Sequence, residues 1–284
     1  MGFQSGAELG ESILNSMGSA DHIQAEPGDY IGPENRLHCG KCREVKEYRL
    51  PNGRYVPCGC RCRRMEWEAE QQRKERQRMM ERVNELARYN MLGTAKLRGA
   101  TFATAEQRED GAAAYEAGRR YVRDFESICK SEDDMKGLLL FGPVGTGKTH
   151  LAACIANALM ENGVPVLFTS VIKLTSLFED ELGEILHKMR SARLLVLDDL
   201  GAERGTDFKL EQVYNIVDDR CNDRKPLIVT TNCTMDDMRG EKDMRYRRIW
   251  ERVRSMCRPV RMDGESWRKQ KTIEAMRRLR EMDV

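Results

Sequence analysis

From Gly142 the chain reads Gly142-Pro143-Val144-Gly145-Thr146-Gly147-Lys148-Thr149, which has the spacing G-x-x-x-x-G-K-[ST] of a loop that wraps a polyphosphate. Such a loop turns its backbone N–H groups inward, and side chains at the glycine positions would block that approach. Lys148 is the residue to reach the β and γ phosphates, and the Thr149 hydroxyl is the one to ligate Mg²⁺. His150 opens the helix that follows, whose positive end favours the anion.

Two further sets of polar residues stand at the ends of apolar runs. Leu194-Leu195-Val196-Leu197 ends in Asp198-Asp199, a pair suited to holding Mg²⁺ (Asp198) and to orienting or deprotonating an attacking water (Asp199), with Glu203 in reserve. Leu227-Ile228-Val229-Thr230-Thr231 ends in Asn232, whose amide can bond both that water and a γ phosphate.

Five cysteines cluster earlier, as Cys39-x2-Cys42 and then Cys58, Cys60 and Cys62. Tetrahedral Zn²⁺ takes four thiolates. The set Cys39, Cys42, Cys58 and Cys60 is preferred, with Cys62 as the alternate and His38 as an outside candidate. Between the two groups, Pro51-Asn52-Gly53 separates two short strand-like runs, so a hairpin would bring the thiols together as a zinc ribbon.

These residues need elements to position them. Leu138–Phe141 reads as a buried parallel strand and 150–161 as a helix ending at Asn162-Gly163. Similar apolar runs at 166–169, 194–197 and 227–230 alternate with helical sequence, which predicts a parallel sheet with helices on both faces and ligands at the carboxyl ends of its strands. A helix is expected at about Ala112 to Lys130. Residues 63–92 lack glycine and proline until Gly93 and are rich in Glu, Gln, Arg and Lys, the composition of a connecting helix.

The resulting division is an acidic flexible tail over 1–36, a zinc-binding module over 37–62, the connecting helix over 63–92 and the main domain over 93–284. Lys plus Arg number 48 against 46 Asp plus Glu, yet the charge is uneven: residues 1–36 carry six acids and one base, and 236–284 carry fifteen bases and ten acids. The basic end is therefore the one suited to meet phosphate. No run approaches the ~18 apolar residues of a membrane span, which points to a cytoplasmic protein without a membrane partner.

With Gly142–Thr149, Asp198-Asp199-Leu200-Gly201, Thr230-Thr231-Asn232 and Arg248-Ile249-Trp250-Glu251-Arg252 in this order, the chain resembles the AAA+ P-loop ATPases. Within them it is similar to the DnaC/DnaI-like loaders of replicative helicases of bacteria and their phages. The resemblance covers about residues 97–268, and the cysteine module resembles the helicase-docking domain of one branch less specifically.

By position, it implies that Asn232 is the sensor 1 residue and that Arg252 is an arginine finger acting on a neighbouring subunit, with Arg248 as its companion. Arg268 is implied as the sensor 2 arginine. It also implies binding and slow hydrolysis of ATP to ADP, self-association through the ATP site, docking of a hexameric DnaB-type helicase, and contact with single-stranded DNA through the region of Val171–Arg190. Asp199 stands where many AAA+ proteins have Glu. A transposition helper of the IstB-like kind, and a non-hydrolysing adaptor stabilised by zinc and nucleotide, are the alternatives.

Overall fold

The computed structural model describes residues 21–90, 92, 94–103, 105, 111–177, 179–201 and 207–282. It separates into two compact units, residues 1–77 and 78–284.

The first unit is built from short strands. β1 (Tyr30–Ile31) pairs antiparallel with β2 (Leu37–His38), and β3 (Glu47–Arg49) pairs antiparallel with β4 (Tyr55–Pro57) across the anticipated Asn52-Gly53 turn. Its buried side chains include Leu37 and Tyr55 but also Lys46 and Glu47. Lys46 Nζ lies 2.5 Å from Asp29 and 2.7 Å from Glu26, and Glu47 accepts from the backbone N–H groups of Leu37 and Ile23 and bonds His22. Buried charges of this kind persist only when paired and hydrogen-bonded. Residues 21–36, assigned from sequence to a flexible tail, are therefore tied into the cysteine-bearing unit. Two acids of that segment, Glu26 and Asp29, are the partners of the buried Lys46.

Helix α1 (Arg61–Ala87) begins two residues earlier than expected and crosses the division between the units. Its buried residues are Val83 and Leu86, one turn apart, and Leu86 belongs to the core of the second unit.

That second unit has a five-stranded, wholly parallel sheet in the order β6-β7-β8-β5-β9. Its strands are β5 (Gly137–Phe141), β6 (Val166–Ser170), β7 (Leu194–Asp198), β8 (Leu227–Thr231) and β9 (Cys257–Arg261). The helices in chain order are α2 (Ala95–Arg98), α3 (Ala112–Lys130), α4 (Lys148–Glu161), α5 (Val171–Ser176), α6 (Glu179–Ser191), α7 (Asp207–Asn222), α8 (Met235–Arg239), α9 (Met244–Met256) and α10 (Trp267–Met282).

Strand pleating sends alternate residues to opposite faces. Leu138, Leu140, Leu194 and Val196 pack with α3 and α4, while Leu139, Leu195, Leu197 and Val229 pack with α6, α7 and α9. Both faces are covered, so the strands read as continuous apolar runs. The expected architecture is thus present, with one strand that sequence reading missed. In β9, Arg258, Pro259 and Arg261 leave no apolar run to recognise, and a proline is tolerated because β9 is an edge strand.

The region of Val171–Arg190, implied by the resemblance to contact single-stranded DNA, carries two helices, α5 and α6. Lys188 on α6 meets Glu85 and the ring of Tyr89, whose hydroxyl bonds Glu184. Among the described residues no helix is long and apolar enough to cross a membrane.

Candidate nucleotide site

At the carboxyl end of β5 the chain turns through Gly142, Gly145 and Gly147, with φ of 142°, 87° and 97°. These angles favour glycine. Space demands it as well, since a Cβ on Gly142 would lie 2.2 Å from the Met262 carbonyl oxygen and one on Gly145 would lie 2.1 Å from Ser266 Oγ. The segment after β9 therefore backs the loop closely, and the Trp267 N–H donates to the Gly145 carbonyl at 3.0 Å. Thr146 Oγ1 donates to the Pro143 carbonyl, and the buried Lys148 ammonium donates to the carbonyls of Gly142 and Pro143 at 2.8 and 2.7 Å.

A cavity of about 460 Å³ opens over this loop, a size suited to a small-molecule cofactor. Gly145, Gly147, Lys148, Thr149, Asp199 and Asn232 line it on the polar side. Leu97, Tyr115 and Trp267 supply an apolar and aromatic part that sequence reading did not assemble, beside His150, which the sequence placed at the phosphate loop. Tyr115 Oη lies 2.9 Å from His150 Nδ1. The end of α2, which carries Leu97, is fixed by Asn157 of α4, whose buried amide donates to the carbonyls of Leu97, Arg98 and Ala100 at 3.0, 3.2 and 2.8 Å. An asparagine inside an otherwise apolar helix was the available signal for this anchor.

Asp198 ends β7 at 7% exposure, hydrogen-bonded to the hydroxyls of Thr230 and Thr149. Burial raises its pKa to about 6, aided by the neighbouring Asp199, against the lowering effect of those hydroxyls and of Lys148. Thr149 and Asp198 together are a hard-oxygen pair of the kind that suits Mg²⁺ beside a polyphosphate.

The raised pKa has a cost in stability. A carboxyl that binds its proton more tightly in the folded chain stabilises the fold fully below its unfolded pKa near 3.8 and loses that contribution as pH rises through about 6. Asp198→Asn, which keeps the oxygen that accepts from Thr230, is expected to raise nucleotide-free stability at pH 8 by about 2–3 kcal/mol, with the gain vanishing towards pH 4. Denaturant unfolding of both chains across that range checks this, and equal stabilities at pH 8 would refute it.

Asp199 follows with a φ of 56°, a left-handed conformation that costs a non-glycine residue about 1 kcal/mol, at the cavity wall just past the end of the strand. Glu203 lies outside the described residues. Asn232, one residue past β8, also reaches the cavity.

Two predicted arginines stand differently. Arg252 on α9 is not among the cavity's lining residues; its Nε bonds Asp218 Oδ1 of α7 at 2.7 Å, while Arg248 one turn earlier sits over the Tyr214 ring at 4.4 Å. The side chain of Arg268 lies outside the described residues, though its backbone is the second residue of α10, next to the cavity-lining Trp267.

A family described as IstB-like ATP-binding protein matches residues 68–275. The chain belongs to this family. Among curated relatives, this IstB-like chain is 30% identical over 164 residues to the replicative helicase loader DnaI of Bacillus subtilis, covering 52% of this chain and 53% of that one. It is 29% identical over 146 residues to the replicative helicase loader DnaC of Escherichia coli, covering 48% and 57%. A crystal structure of DnaI superposes with a TM-score of 0.51 at 27% identity, over 61% of this chain and 96% of that one. The IstB-like chain spans about half the length of the curated relatives it matches. The family supports nucleotide binding in general, and the relatives support the DnaC/DnaI-like resemblance drawn from the motifs.

In the first unit the Sγ atoms of Cys39, Cys42 and Cys60 lie within 4.8 Å of one another. Backbone N–H groups of Cys62 and Glu44 pointing at Cys42 lower its pKa to about 6, and a hydrogen bond to Cys42 raises that of Cys62 to about 11. Cys58, which sequence reading put in the ligand set, is not in that group; its thiol donates to the Val45 carbonyl at 3.2 Å. His38 bonds the Arg43 carbonyl through Nδ1 and stacks on Tyr30.

Proposed function

We propose that this chain is an ATP-dependent loader that places a hexameric DnaB-type replicative helicase on single-stranded DNA. The observation that carries the reading is that one cavity over Lys148 and Thr149 also gathers Asp199 and Asn232. In it the backbone of 142–147 and Lys148 bind the phosphates, Thr149 and Asp198 hold Mg²⁺, which screens phosphate charge, and Asp199 orients the attacking water. Leu97, Tyr115 and Trp267 shelter the base.

Arg252, set apart from its own chain's cavity, acts on the nucleotide of a neighbouring copy, with Arg248 beside it. Arg268 serves the site of its own chain. Asn232 and these arginines favour the assembled state only while the γ phosphate is present, which makes that group the differential ligand. The reading places the chain in the cytoplasm, in a bacterial or phage replication system.

The thiols of the first unit hold Zn²⁺ through Cys39, Cys42, Cys60 and Cys62, and that unit docks the helicase. Membership of the IstB-like family supports a second reading, a transposition helper ATPase of the IstB-like kind. Co-purification separates the two by whether a helicase or a transposase is retained. Helicase loading by Lys148→Ala is expected to fall to background in a single-stranded DNA loading assay. Loading equal to the parent's would overturn the proposal.

A further inference from the structure

Three consecutive residues at the end of β7 are held by one residue of β8. The fully buried Thr230 donates its hydroxyl proton to Asp198 Oδ1 at 2.7 Å and accepts from the Asp199 N–H at 2.9 Å, while its carbonyl accepts from the Leu200 N–H at 3.0 Å. The register of the β7–β8 ladder runs only to Leu197↔Val229. Past that point the threonine hydroxyl takes the place of a ladder partner for Asp199, at the residue where the backbone enters the left-handed region.

On its other side Thr230 is in register with Leu140 of β5, two residues before Gly142. Two residues beyond it comes Asn232, at the cavity wall. The hydroxyl therefore sits between the phosphate loop's strand, the acidic pair and the amide.

We propose that Thr230 is a positioning residue for hydrolysis: its hydroxyl fixes the Asp198 and Asp199 carboxylates relative to each other and to Asn232. This rests on the reading of the cavity as an ATP site. Valine has the shape of threonine without the hydroxyl, so Thr230→Val leaves the methyl packing in place while removing the donor to Asp198 and the acceptor for Asp199. Serine keeps the hydroxyl and loses the methyl. A misplacement of catalytic groups by about 1 Å costs about 100-fold in rate while leaving ground-state binding largely intact.

The test compares the parent, Thr230→Val and Thr230→Ser as full chains, by ATP turnover, by calorimetric ATP affinity, and by electron paramagnetic resonance titration of Mn²⁺ onto the ADP-bound chain. Thr230→Val is expected to bind ATP within about 3-fold of the parent, to lose about 10- to 100-fold in kcat, and to bind Mn²⁺ at least about 10-fold more weakly. Thr230→Ser is expected to restore both to within about 3-fold. The proposal is overturned if Thr230→Val matches the parent in kcat and Mn²⁺ affinity, or if Thr230→Ser is as impaired as Thr230→Val, which would assign the effect to packing. In a parent that binds ATP without turning it over, the Mn²⁺ titration decides alone. A parent that binds no nucleotide overturns the ATP-site reading, and this proposal with it.

Discussion

Arg220→Ala is expected to destabilise the second unit by about 3–5 kcal/mol, because truncation strands the buried backbone carbonyls it bonds. Arg220 is 1% exposed, and its guanidinium uses all five N–H donors on backbone carbonyls. Nε and Nη2 donate to Pro226 at 3.1 and 2.6 Å, Nη2 to Arg193 at 3.0 Å, and Nη1 to Met189 and Ala192 at 3.0 and 3.1 Å. One side chain of α7 thus ties the end of α6 to the entrances of β7 and β8, where the last carbonyls of a helix attract a cation.

Burial draws the pKa of Arg220 down to about 10, so it remains charged at neutral pH. Truncation would strand four carbonyls in the interior at about 1–3 kcal/mol each before water enters. Lysine, with three donors, repairs only part of this. The bonded carbonyls stand at the amino ends of the strands, opposite the nucleotide cavity. Denaturant unfolding should therefore show a large loss of stability while ATP affinity at low temperature stays within about 3-fold of the parent. Unchanged stability in Arg220→Ala would refute the account of this clamp.

Stripping metal is expected to unfold the first unit outright. Its buried apolar side chains are few, Leu37 and Tyr55 chief among them, and a unit of that size needs a staple. Structural Zn²⁺ supplies roughly 10–16 kcal/mol of apparent binding free energy, which in such units is folding free energy.

The protein purified without chelator is expected to carry about one zinc per chain. Cys39→Ser, Cys42→Ser, Cys60→Ser and Cys62→Ser should each lower it severely, and Cys58→Ser should leave it intact because Cys58 is bonded to the Val45 carbonyl instead. Zinc content by elemental analysis, with circular dichroism of the chelated chain, checks both statements. Retention of zinc in Cys62→Ser with loss in Cys58→Ser would reverse the ligand assignment, and zinc-free folded protein would end it.

These two predictions also mark where sequence was informative. Phosphate loop, acidic pair and Asn232 were legible because each follows a short apolar strand whose carboxyl end must face the ligand, and four of the five strands were found on that logic. Strand β9 was not, since an edge strand carrying Arg258, Pro259 and Arg261 has no apolar signature. Nothing local in Asp218-Asp219-Arg220 marks Arg220 as buried, and only the convergence of α6, β7 and β8 makes it a clamp. The same holds for Lys46, whose acidic partners precede it by 17 and 20 residues.

Cysteine spacing pointed to a thiol cluster without selecting its members, because Cys58, Cys60 and Cys62 differ only in which way the backbone after β4 turns each thiol. Leu97, Tyr115 and Trp267 come from three distant segments, and no local pattern announces that they share a wall.

The central claim is that the cavity over residues 142–149 holds a magnesium-bound nucleoside triphosphate and distinguishes it by its terminal phosphate. Isothermal titration of the intact chain with MgATP and with MgADP tests this most directly. The account predicts saturable binding of both, lost in Lys148→Ala, together with a measurable difference between the two nucleotides. No heat with either nucleotide, from a chain shown to be folded, would contradict it.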